Sequence, residues 1–245
     1  MSKDVVLLQQ AEKETGRSVI SEDALRLSTG ARSGSGHVPE IQDGVVSLLQ
    51  NLFILPPQAP RSVVFACVQP GDGSNSVCLH VARALASLSR GSVCLVDGNL
   101  RAPSLHLGFG MENSRGLAQS AIESVPIRTF AQQIDGSNLW VLFTGALNGN
   151  AQTLISSDQV GQRVEELRAD FDYVLIDGPP ISLSADSIAL GRLCDGLVLV
   201  VQLNTTRRET ARKAKKALEA ASVRILGTVL SNRTYPIPEV LYRML

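Results

Sequence analysis

The apolar positions of this chain change period several times, and the changes mark out its elements. Val63–Cys67, Val93–Val96, Leu139–Phe143, Tyr173–Ile176, Gly196–Gln202 and Val223–Ser231 are short, largely continuous apolar runs, the length of buried strands. Between them the apolar spacing becomes helical, at Val77–Leu88, Ser157–Ala169, Ala185–Leu193 and Thr206–Ala221. Val160, Val164 and Leu167 form the stripe of the second of these, with Ser157 or Asp158 as its cap. Ile41–Phe53 also reads as a helix, with Val45, Leu48, Leu49 and Leu52 on one face, and Ser114–Ser124 and Ile127–Ile134 as shorter ones. A strand that alternates with helices in this way predicts an α/β fold, a mostly parallel sheet covered on both faces.

The stretch from Arg61 to Arg101 carries the chemistry. A strand is followed by Gln69-Pro70-Gly71-Asp72-Gly73-Ser74-Asn75-Ser76, then a helix, then a second strand that ends on Asp97. This is a βαβ unit with a glycine-rich, phosphate-binding turn in the expected place. Such a turn wraps backbone N–H groups around an anion at the positive end of a helix. A working loop adds a lysine on the β- and γ-phosphates and a Ser or Thr hydroxyl on Mg²⁺. Counting from Gly73, those two positions are Ser74 and Asn75. A charge-assisted hydrogen bond contributes roughly 1.5–3 kcal/mol, so loss of the lysine weakens nucleotide binding about tenfold to a hundredfold. Asp72 is expected to add an uncompensated negative charge beside the pocket. Backbone anion binding is compatible with this loop; efficient phosphoryl transfer is not expected from it.

The loop, the segment Val93 to His106 (VCLVDGNLRAPSLH) and the segment Tyr173 to Pro180 (YVLIDGPP) together resemble the cytoplasmic domain of bacterial tyrosine kinases, over about residues 43 to 231. The resemblance implies a P-loop NTPase-like fold and a role in capsule and exopolysaccharide synthesis and export. It implies ATP or ADP with Mg as cofactors, with Gly71, Asp72, Gly73, Ser74, Asn75, Ser76 and Arg101 toward the nucleotide. Asp97 and Asp177 would be the catalytic acids, and with Asn75 the ligands of Mg. Where the family reads close to QPGEGKST this chain has QPGDGSNS, and where it reads close to LLIDADLRRP this chain has CLVDGNLRAP, with Asn99 in the second acidic place. Asp186 lies where the family has an aspartate. The ring-forming EAxRxLRTNL-like helix is represented by Asp43 to Leu52, with Val46 and Leu49 at the two arginine positions, so a homo-oligomeric ring loses those contacts. The terminal tyrosine cluster is reduced to Tyr235 and Tyr242. In the family a loop near Asn148 and Asn150 can approach the nucleotide base.

Three functions follow from the resemblance and its departures. The first is a degenerate kinase-like module that regulates or scaffolds polysaccharide assembly beside a membrane-bound chain-length regulator. The second is an active ATP-dependent tyrosine autokinase of the same pathway. The third is a partitioning-type ATPase, whose KGGxGKT-like loop would require lysines where this chain has Gln69 and Ser74. For Asp97 and Asp177 the plainer alternative is that both only cap helices and bond the glycine-rich loop; for Arg101 it is a surface ion pair with Asp97 or Glu112.

Composition narrows the setting. In 245 residues Lys+Arg and Asp+Glu are both 23, so the net charge is zero and nothing favours a nucleic-acid partner. The 44% hydrophobic content is that of a globular chain, and no run reaches the ~18–20 apolar residues of a membrane span. Val5–Leu8 is too short for a signal-peptide core, although Val5–Thr15 is a helical candidate. Cys67, Cys78, Cys94 and Cys194 lack CxxC spacing and are expected to be buried reduced thiols in a cytoplasmic protein, which can also sit peripherally at the inner face of the plasma membrane. The Ser/Gly-rich passage Ser28–Gly36 marks a linker, so residues 1–38 read as a tail, 39–235 as the domain and 236–245 as a second tail. Six basic residues between Arg207 and Lys216 mark a solvated helix face or a surface for anionic lipid or an acidic partner.

Overall fold

The computed structural model describes residues 19–21, 43–54, 56, 58–147, 154–155 and 157–231. The strands are β1 (Val19–Ser21), β2 (Ser62–Cys67), β3 (Val93–Asp97), β4 (Gln132–Gln133), β5 (Leu139–Leu142), β6 (Tyr173–Gly178), β7 (Gly196–Gln202) and β8 (Ile225–Ser231), of which all but the short β1 and β4 are the six apolar runs. They make one sheet in the order β1-β8-β7-β2-β6-β3-β5-β4. Every pairing is parallel except β4 with β5. The helices are α1 (Asp43–Leu49), α2 (Ser74–Leu88), α3 (Leu105–Phe109), α4 (Leu117–Ser120), α5 (Asp158–Asp170), α6 (Asp186–Leu193) and α7 (Arg208–Ala220).

Side chains alternate across the pleat. Val63, Phe65 and Cys67 of β2 join Leu95, Leu175 and Val198 in a core under α1 and α2. Val64 and Ala66 join Cys94, Ile176 and Leu199 in a second core under α5, α6 and α7. Both faces are therefore covered, which is why the central strands carry almost no polar residue. Cys67, Cys78 and Cys94 are buried, Cys194 is half-buried, and all are free thiols. Burial pushes the Cys67 thiol up to about 11 and that of Cys194 to about 12, so neither is a reactive thiolate at neutral pH.

Several elements differ from their sequence expectation for local reasons. Ile41–Phe53 is not one regular helix: α1 passes into a π-turn over Gln50–Ile54, which keeps Leu52 and Phe53 buried beside Val45, Leu48 and Leu49. Leu49 is 1% exposed, so this second ring-arginine position is a core position here. The helix expected over Ser114–Ser124 shortens to α4 because Arg163 takes the carbonyls of Ser120, Glu123 and Val125. Ile127–Ile134 is a 3-10 turn (Ile127–Phe130) followed by β4, since the open edge of β5 offers pairing to Gln132 and Gln133. Ser157 is the N-cap of α5, but its hydroxyl donates to the Leu154 carbonyl at 2.6 Å instead of capping. Within the expected tail 1–38, Val19–Ser21 pairs with β8 as an edge strand. Ser28–Gly36, Asn148, Asn150, Tyr235, Tyr242 and the tail 236–245 lie outside the described residues.

Candidate functional site

The site forms where β2, β3 and β6 end, because in a parallel sheet the carboxyl ends of the strands open onto the crevice between crossovers. The β2–α2 turn requires left-handed backbone twice, at Gly71 (φ +92°) and Gly73 (φ +87°). No atom lies within 4 Å of a Cβ built on either residue, so the demand for glycine is conformational and not steric. Gly73 is the N-cap of α2, and Val77 N–H donates back to its carbonyl at 3.1 Å. The N–H groups of Ser74, Asn75 and Ser76 thus begin the helix without intrahelical acceptors, as in an anion cradle. The Ser76 carbonyl is engaged by His80 Nδ1 one turn on.

The turn itself is held from beneath. Asp72 is 1% exposed; its carboxylate accepts the Gln69 N–H at 3.0 Å and the Thr206 hydroxyl at 3.0 Å. The Ser231 hydroxyl donates to the Asp72 carbonyl at 2.6 Å. The carboxylate expected beside the pocket also serves as an internal tie from the loop to the segment before α7, with neutral donors and, among the described residues, no cation against it, while its backbone carbonyl ties the loop to the end of β8. Thr206 and Ser231 lie far from the motif in sequence and carry no signal of their own.

Asp97 and Asp177 are register partners on β3 and β6, so the structure does bring the two acids together. Their roles differ. Asp97 accepts N–H groups from Asn99 at 3.2 Å, Ser104 at 3.0 Å and Leu105 at 3.1 Å, closing the turn that leads into α3. Asn99 accepts the Ala102 N–H at 3.2 Å, so the amide in the second acidic place completes the same turn. Asp177 has a buried Oδ1 without a hydrogen-bond partner among the described residues. Burial raises both carboxyls above the usual range, strongly for Asp177, where the adjacent Asp97 raises it further and the Ser74 hydroxyl opposes. His106, also near Asp97, packs edge-on to Phe143 and leaves Nδ1 buried and unpaired.

The positions that handle phosphate and metal in a working loop are engaged elsewhere. Ser74 is 7% exposed and lies against Asp177 and the Cys67 thiol. The Asn75 amide donates to the Ser104 hydroxyl, whose own N–H is on Asp97. Asn75, Ser104 and Asp97 therefore form one chain of contacts from α2 to the β3–α3 turn. Ser104 was a missed residue, although its place after Pro103 at the start of α3 is a cap-type signal. Arg101 pairs with Asp186 at 2.8 Å, and not with Asp97 or Glu112. Asp186 in turn accounts for the buried acid after the Pro179-Pro180 turn.

This donor set does not fit a magnesium nucleotide in the manner of a working loop. No cation stands at the β/γ-phosphate position, the Nδ2 of the amide at the hydroxyl position is on Ser104, and Asp97 already accepts three backbone N–H groups. Among the described residues no group of three or more His, Cys, Asp or Glu is placed to hold a metal ion. Among the described residues the buried side-chain atoms left without a partner are Asp177 Oδ1 and His106 Nδ1.

The sheet order, the glycine turn and the paired strand-end acids define a P-loop NTPase-like α/β protein. Residues 61–227 match the family model described as "Cellulose biosynthesis protein BcsQ". The chain is 32% identical over 173 residues to the tyrosine-protein kinase YwqD of Bacillus subtilis, covering 71% of this chain and 73% of that one. It belongs to the bacterial tyrosine-kinase family of P-loop proteins. Among solved structures it superposes on the chimerical protein CapA2B2 with TM-score 0.77 at 23% identity, over 91% of this chain and 97% of that one. It superposes on the kinase domain of the Escherichia coli tyrosine kinase ETK with TM-score 0.74 at 20% identity, over 93% and 97%.

Proposed function

We propose that this chain is a degenerate member of its family: a kinase-like P-loop module that regulates or scaffolds capsule and exopolysaccharide assembly without efficient phosphoryl transfer. The observation that carries the reading is the Asn75–Ser104–Asp97 chain. It ties the metal-ligand position of the loop to the acid that would order the metal's water shell, while Ser74 leaves the phosphates without a lysine. Catalysis of phosphoryl transfer is mostly positioning and charge neutralisation, and both are removed here. What the fold retains is a glycine turn with free helix-end N–H groups, sufficient for a simple anion. A membrane-bound chain-length regulator is the partner this reading assigns, at the cytoplasmic face.

The test is titration calorimetry of the native chain with ATP and ADP plus Mg²⁺, beside a Ser74→Lys/Asn75→Thr variant. The expected result is no heat from the native chain and restored binding in the variant. Micromolar nucleotide binding by the native chain sinks this reading.

One observation favours a second reading, an active tyrosine autokinase. The unpartnered Asp177 Oδ1, buried beside Asp97, is the kind of acceptor that a metal-bound water fills. Phosphate on a tyrosine after incubation with ATP and Mg²⁺ would establish it.

A further inference from the structure

We infer that the outer face of α7 is a docking surface for an anionic lipid bilayer, held by charge alone. Arg207, Arg208, Arg212, Lys213 and Lys216 are all exposed along this helix. Their side chains make no ion pair or hydrogen bond with the described residues; only Lys215 is paired, with Glu219 at 3.8 Å. Arg208, Arg212 and Lys216 recur every four residues, so they stand in one row with about 6 Å of rise between neighbours. Lys213 flanks that row, and Glu209 is the one exposed acid among them without a partner.

Neutrality of the whole chain makes this arrangement informative. With 23 basic and 23 acidic residues, a face with this excess of unpaired cations means that charge is segregated over the surface. Exposed Asp158, Glu165 and Asp170 lie on α5, the crossover into β6, whereas α7 crosses from β7 to β8 at the other side of the sheet's centre. A neutral, polarised molecule is oriented by a negative plane rather than drawn in by net charge.

The helix also excludes the inserted mode of membrane binding. Its apolar side, Ala214 and Leu218, is buried in the core with Leu197, Leu199 and Val223. No apolar face is left to enter the acyl region, and only headgroup contact remains. A basic residue near an anionic leaflet contributes roughly fivefold in partitioning, so four net charges favour the membrane by several hundredfold at low salt. The helix carries no Asn, Gln or aromatic residue, the types that read base edges or stack on bases, which favours a lipid plane over nucleic acid. This surface is distinct from the loop, and the inference holds whether or not nucleotide binds there.

The test is co-sedimentation of the full chain with vesicles of phosphatidylcholine containing about one-third phosphatidylglycerol, against phosphatidylcholine alone, at about 50 and about 500 mM salt. The expected result is binding to the anionic vesicles only, at least tenfold weaker at high salt and in an Arg208→Glu/Arg212→Glu/Lys216→Glu variant with an unchanged thermal midpoint. Should that variant lose its fold, Arg212→Gln/Lys216→Gln carries the same comparison with a threefold or greater loss. Absence of binding to anionic vesicles, equal binding to neutral ones, or binding unchanged in the folded variant overturns the inference. So does tighter binding to a short DNA duplex than to the anionic vesicles, which would make the face a nucleic-acid surface.

Discussion

The Thr206 hydroxyl lies 3.0 Å from both carboxylate oxygens of Asp72, joining the glycine-rich turn to the segment that leads into α7 across 134 positions of sequence. The tie explains why α7 begins at Arg208 and not at Thr206: Thr206 N–H bonds the Gln202 carbonyl while its side chain faces the loop. Thr206→Val keeps the shape and removes the donor. A buried carboxylate that loses one hydrogen bond costs about 1–3 kcal/mol, so the variant should unfold at lower denaturant with an unchanged m-value. Thr206→Ser should behave as wild type. Equal stability of the Val and Ser variants would show that the bond contributes nothing.

Asp177 gives a pH signature. Its folded pKa is raised by burial and by Asp97, so the folded state favours the protonated acid. For a carboxyl shifted upward, the unfolded state releases the proton first. Stability is therefore lost as pH rises above the ordinary carboxylate value, until the folded group too has ionised. Asp177→Asn removes the titration and keeps the shape. The variant should melt a few degrees higher than wild type at pH 8, with the gap narrowing toward pH 5. A gap that widens on acidification contradicts this assignment.

The two ring-arginine positions should respond differently to restoration of the family residue. Val46 is half-buried on α1 and Leu49 is 1% exposed in the core. Val46→Arg should change stability by less than about 1 kcal/mol, while Leu49→Arg buries an unpaired guanidinium and should cost 3 kcal/mol or more. Chemical denaturation of the two single variants separates them.

Arg101 is committed to Asp186, whose side chain is only 4% exposed at the start of α6. Arg101→Ala should lower the thermal midpoint more than Asp186→Asn, since only the first leaves a buried carboxylate uncompensated. Phosphate affinity of the loop, followed by phosphate-dependent thermal shift, should be the same in Arg101→Ala as in wild type. A tenfold loss of that affinity would return Arg101 to the anion site.

The alternation of apolar runs and helical stripes determined the parallel sheet, its two-sided cover and most strand limits. Gly196–Gln202 matches β7 end for end, its five buried residues Gly196–Val200 carrying no polar side chain because both faces are covered. The glycine turn, and the meeting of Asp97 with Asp177 at adjacent strand ends, were legible for the same reason: spacing from a strand end fixes position in a parallel sheet. Ser74 and Asn75 mark where the loop departs in sequence from the lysine-bearing motif.

Tertiary structure alone decided what each polar group does there. Asp72 became an internal tie because Thr206, just after β7, and Ser231, at the end of β8, are brought to it by strands on one side of β2 in the sheet that are far from the loop in sequence. Arg101 found Asp186 across 85 residues, and Asn75 found Ser104 across 29. Periodicity reports which face of an element is buried, since burial depends on one residue type at a time. A hydrogen bond depends on two groups meeting within about 3 Å, and that distance is set by the packing of whole elements.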